Sequence, residues 1–199
     1  MKNLSFAAIL LMTACQATTT TSTEPTTTPT EAAPVGAAAT PPSNANKVGE
    51  EVHGDFNGDG KPETAYVVQT AQAEGNPVED GKPANYEVRF SDESMPNINI
   101  GCCESLLINE GDLNGDGKDE LSTYQAPMNG NTYAMKTYSF HDKNWKTFID
   151  TFLIPTGGEE LTLDALEQRI VLENGKVYYY DVDVNDENFQ LVKKPAKTM

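Results

Sequence analysis

The sequence predicts a mainly β domain: a compact antiparallel fold of two related halves, preceded by a disordered tether. Three observations carry this reading. Short β-branched and aromatic runs alternate with stretches rich in Gly, Pro and Asn, the pattern of strands and turns. Only one short segment has helical spacing. One nine-residue stretch occurs twice, 57 residues apart, as Asp55-Phe-Asn-Gly-Asp-Gly-Lys-Pro-Glu63 and Asp112-Leu-Asn-Gly-Asp-Gly-Lys-Asp-Glu120. A strand-like run follows each copy.

Taken in order, residues 1–14 read as a signal peptide and residues 15–47 as a tether, and the folded domain spans 48–199. From Gln16 to Lys47 the chain is Thr, Pro, Ala, Ser and Asn with almost no large apolar residue, so it cannot offset its own ordering entropy. After the first loop, Thr64–Thr70 is β-branched and aromatic, a strand. Ala71–Ala84 is loop, Tyr86–Phe90 alternates apolar and polar, and a short extended piece surrounds Ile98–Ile100. Ser105–Asn109 leads into the second loop, and Leu121–Gln125 leaves it as the counterpart of the first strand. Ala134–Phe140 and Trp145–Ile154 form a hairpin about a turn at His141–Asn144. Gly157 and Gly158 break the chain. Leu161–Gln168 is the one helical pattern, with Leu161, Ala165 and Leu166 on one side. Arg169–Glu173 and Lys176–Val182 flank Asn174-Gly175, a strong hairpin signal.

In the repeated loops, side-chain oxygens recur at positions 1, 3, 5 and 9 and Gly holds position 6. The candidate ligands are Asp55, Asn57, Asp59 and Glu63, and then Asp112, Asn114, Asp116 and Glu120. Such spacing suits a hard cation, since Ca2+ takes about six to eight oxygens at about 2.3–2.6 Å on a sharply turning chain. An EF-hand needs a bidentate Glu at position 12, which is Tyr66 in one copy and Thr123 in the other. It also needs flanking helices, where strands follow here. Dockerin loops share the opening residues but are closely paired and followed by helices. An acid at position 9 followed directly by a strand resembles instead the calcium loops of FG-GAP and VCBS-type repeats, which connect the blades of β-propellers such as the integrin alpha-chain head. That resemblance implies two Ca2+ ions, with the backbone carbonyls of Lys61 and Lys118 completing each ligand set. This chain departs from the family in having Glu rather than Asp at position 9.

A propeller blade takes about 40–60 residues and a closed ring at least about four blades. About 150 residues are too few for a full propeller. Two propeller-blade-like units fit the length, as does a partial propeller completed by self-association. Asp181-Val-Asp-Val-Asn185 is at best a decayed third copy without the position-6 Gly. The competing reading of the loops is a pair of metal-free turns, because Asp, Asn and Gly are common turn formers. If ions bind, their role is expected to be mainly structural.

Charge and targeting bound the function. A net charge of −16 from 14 basic and 30 acidic residues offers no basic cluster for phosphates and excludes nucleic acid as a partner. Met1-Lys2-Asn3, the apolar run Leu4–Met12 and small residues before Cys15 resemble a bacterial lipoprotein signal, which implies lipidation of Cys15; a plain secretory signal is the alternative. The apolar run is too short to span a bilayer. Acyl chains on Cys15 would give membrane attachment. Gln16 stands where an Asp would resemble an inner-membrane retention signal, so the resemblance implies the outer membrane. Cys102-Cys103 is a candidate disulfide or a pair of buried thiols. His53 and His141 read as solvated, and no catalytic constellation stands out. Tyr178-Tyr-Tyr180 could line a sugar- or peptide-binding face, with alternation sending at least one Tyr into the core. The leading expectation is a calcium-binding, lipid-anchored bacterial envelope protein that binds or scaffolds a protein or glycan partner. A calcium-dependent hydrolase or hydrolase accessory subunit and a periplasmic structural protein are the alternatives.

Overall fold

Twice along the chain, a strand, an acidic loop and three further strands follow one another. The computed structural model describes residues 46–183 and 185–197, so the signal, Cys15 and nearly all of the tether lie outside the described residues. The first sheet contains β1 (Lys47–Gly54), β2 (Glu63–Ala71), β3 (Asn85–Phe90) and β4 (Ile98–Gly101). The second contains β5 (Ser105–Gly111), β6 (Glu120–Gln125), β7 (Thr132–His141) and β8 (Asn144–Pro155). Each is an antiparallel meander whose spatial order follows the sequence. The acidic loop joins the first two strands in both, and both loops close at the same register, Gly54 opposite Glu63 and Gly111 opposite Glu120.

The chain ends in a third sheet that the two-unit expectation does not include. After α1 (Leu163–Glu167), β9 (Ile170–Glu173) and β11 (Leu191–Pro195) flank β10 (Lys176–Val182). Asp181 lies within β10 and pairs with Lys194 at 2.7 Å, so it does not open a third loop. The helix is shorter than its apolar spacing suggests because Thr162 caps it, accepting a bond from the Ala165 amide. Leu166 is then its one buried residue.

The second sheet packs on both faces. Val67, Val88 and Ile98 from the first sheet meet Leu107, Leu121 and Phe140 from the second in one apolar cluster. Ile108, Met135, Phe152 and Ile154 meet Ile170 and Val177 of the third sheet in another, which Leu166 joins. Burial from two sides explains why Glu120–Tyr124 of β6 are all buried, whereas β3 alternates. Each large apolar side chain in these layers contributes about 1.5–3 kcal/mol on burial. The position-2 residue of each loop is a wedge between sheets: Phe56 enters the first cluster, edge-on to Phe90 and Trp145, and Leu113 enters the second.

Candidate metal centres

The two loops fold through the same set of hydrogen bonds. Oδ1 of Asp55 accepts from the amides of Gly58 (2.8 Å) and Asp59 (3.0 Å), and its Oδ2 from Gly60 (2.9 Å). Asp112 accepts from Gly115 (2.7 Å), Asp116 (3.2 Å) and Gly117 (2.9 Å) in the same way. Asn57 and Asn114 each accept from the amide two residues on at 2.8 Å. Asp59 and Asp116 accept from the amides of Lys61 and Lys118. The glycines at positions 4 and 6 have φ between 78° and 84°, left-handed values that a side chain would strain. These bonds give both loops the same curl.

Position 9 closes the site from below. Glu63 and Glu120 are the first residues of β2 and β6 and are 5% and 0% exposed. Glu63 accepts from the Phe56 amide at 3.0 Å and from Asn57 Nδ2 at 2.9 Å. Glu120 accepts from the Leu113 amide at 2.8 Å and from Asn114 Nδ2 at 2.7 Å. Insertion of Phe56 and Leu113 thus sets the amides that orient the glutamates.

The first loop's donor set could hold a hard cation, whereas among the described residues Asp112, Asp116 and Glu120 do not converge in the same way. One carboxylate oxygen each from Asp55, Asp59 and Glu63 lie within 4.8 Å of one another. Like charges at such separations repel by roughly 3–4 kcal/mol per pair at an effective dielectric near 20. Burial, then Asp55 and Asp59, push the Glu63 carboxyl up, against the pull of the loop amides. Burial pushes Glu120 up to about 7, with Asp116 and Asp112 adding to the rise. A divalent ion would remove that frustration by favouring the ionised forms. The loops are not identical: Lys118 Nζ sits 2.7 Å from Asp116 Oδ2 and occupies part of the second loop's acidic face.

Several contributors come from outside the repeated stretches, where motif spacing gives no signal. Asp92, in the β3–β4 connection, accepts from Asn57 Nδ2 at 3.2 Å. Ser139 of β7 lies 3.4 Å from Asn114 Nδ2. Glu110 of β5 is pushed up to about 7, first by burial. A cavity of about 720 Å3 lies beside the second loop, lined by Asn114, Asp116, His141, Lys146 and apolar residues including Phe148 and Val177.

The remaining sequence candidates lie elsewhere. The sulfurs of Cys102 and Cys103 are bonded to each other in the β4–β5 turn, across a cis peptide. His53 is exposed and contacts Thr64, and exposed His141 contacts Asp142. Tyr179 packs against Phe152 at 5.0 Å, while Tyr178 and Tyr180 lie on the opposite face under Lys193. Among the described residues no helix is long and apolar enough to cross a membrane. No family model, curated protein or solved structure matches the chain, so its loops and their packing carry the functional argument.

Proposed function

We propose that the chain is a calcium-binding protein of the bacterial cell envelope, attached by lipid on Cys15, with one Ca2+ in each repeated loop. The observation that carries this reading is the shared hydrogen-bond pattern of the two loops over a buried position-9 glutamate. Asp55, Asn57, Asp59, Glu63 and the Lys61 carbonyl would hold one ion. Asp112, Asn114, Asp116, Glu120 and the Lys118 carbonyl would hold the other. The ions act mainly on stability, by neutralising the one buried glutamate of each loop and the more exposed aspartates beside it. In this reading the loops resemble FG-GAP and VCBS-type calcium loops, and the domain binds or scaffolds a protein or glycan partner at the outer membrane. Equilibrium dialysis with elemental analysis tests it: two Ca2+ per chain are expected, falling to one in Asp59→Ala and in Asp116→Ala. No bound metal in the parent chain would overturn it.

The cavity beside the second loop favours a second reading, in which that ion also faces a ligand, as in a calcium-dependent hydrolase or accessory subunit. Asp116→Ala would then abolish ligand binding or turnover, whereas Asp59→Ala would lower stability alone.

A further inference from the structure

The two loops touch each other where Asp119, a residue outside both ligand sets, meets the backbone of Asp55, the first residue of the first set. Asp119, at position 8 of the second loop, accepts from the Asp55 amide at 3.0 Å through Oδ2. Its own amide donates to the Asp55 carbonyl at 2.9 Å. The same Oδ2 accepts from Asn109 Nδ2 at 3.0 Å, and Asn109 also donates to the His53 carbonyl at 2.9 Å. Position 8 of the first loop is Pro62, which has no side-chain acceptor, so the clasp runs one way, from the second loop to the first.

Space at the contact is closed. A Cβ on Gly54 would come within 2.6 Å of Asn109 Nδ2 and 2.8 Å of Asp119 Oδ2. At Gly111, the matching position of the second loop, a Cβ would meet nothing within 4 Å. The repeated glycine therefore serves two purposes: close approach at Gly54, and a left-handed φ of 69° at Gly111. Farther along, a Cβ on Gly58 would lie 2.8 Å from Lys118 Cγ, so the loops also meet near their tips.

From this geometry we infer that Asp119 is a positioning residue that couples the two cation sites, so that loading the second loop raises the affinity of the first. The inference rests on the calcium reading proposed above. Both backbone groups of Asp55, the residue that opens the first ligand set, are bonded to Asp119. Asp119 lies between Lys118, whose carbonyl is a proposed ligand, and the buried Glu120. Ordering the second loop around an ion fixes Asp119, and fixed Asp119 holds Asp55 where its carboxylate caps the first loop. Coupling of this kind is a free energy shared by both sites and is reciprocal.

Calorimetric Ca2+ titration of the full chain tests this through single-site variants. Asp116→Ala removes a ligand of the second loop and leaves the first to titrate alone; its affinity should fall about fivefold or more below the value in the parent chain. In an Asp119→Ala background, adding Asp116→Ala should change the first site by less than about twofold, within the noise of an uncoupled pair. Asp119→Asn retains a carbonyl acceptor for Asp55 and Asn109 and should restore coupling, which also covers the case in which Asp119→Ala fails to fold. First-loop affinity indifferent to Asp116→Ala would overturn the coupling while leaving two calcium sites. A parent chain that binds no Ca2+ would remove both.

Discussion

At the scale of single residues, the loops place charge where the core would otherwise exclude it. Glu120 has an ordinary carboxyl value of 4.5 and is pushed up to about 7 by burial; Glu110 behaves likewise, and Glu63 moves in the same direction. Between those two values the folded chain keeps protons that the unfolded chain has released. Stability of the metal-free chain therefore falls as pH rises from about 4.5 to about 7. With Ca2+ bound, the ionised glutamates are the competent form, so the trend reverses. Thermal melts at pH 5 and pH 7.5 should show the lower Tm at pH 7.5 in EGTA and the higher Tm at pH 7.5 in millimolar Ca2+. Equal melting temperatures in EGTA would contradict the assignment of these groups. Phe56 acts on the same site from the apolar side: Phe56→Ala should cost about 3–5 kcal/mol in urea unfolding, through the cavity left between sheets. A loss below about 1 kcal/mol would show that the wedge is not packed as described.

At the scale of elements, turns and loops were legible and edges were not. Asn174-Gly175 and His141–Asn144 were readable as hairpin turns, and both join strands as two-residue loops. The second does so with unfavourable chemistry at Lys143, whose φ is 61°, whereas Asp142 at 52° is a residue such turns favour. Left-handed backbone costs a residue other than Gly about 1–2 kcal/mol. Lys143→Gly should therefore stabilise the domain by about 1 kcal/mol in chemical denaturation, independently of metal; destabilisation would mean that the Lys143 side chain contributes more than its backbone costs. β1 is not legible as a strand because four of its eight residues, Gly49–Glu51 and His53, are exposed and a register shift interrupts its apolar pattern. β11 gives no strand signal because Leu191–Val192 is followed by two lysines and a proline on an exposed edge. The repeated ligands were legible because their spacing is local. Asp92, Ser139 and Asp119's contact with Asp55 depend on which loops the sheets bring together, and no nine-residue window contains that.

At the scale of the whole molecule, three sheets stack around two apolar layers, and each layer takes its wedge from an acidic loop. Loop order and core packing are thus one property: a loop that loses its curl withdraws Phe56 or Leu113 from between sheets. A bound ion that prefers the folded state raises stability by mass action. The most direct test is thermal unfolding of the purified chain near neutral pH, in excess EGTA and then with millimolar Ca2+ or Mg2+. A rise of several degrees is expected with Ca2+ that Mg2+ does not reproduce, because Mg2+ demands a tighter octahedral shell. Superimposable curves in EGTA and Ca2+, with no metal retained by the protein, would contradict it and reduce the repeated stretches to two metal-free turns.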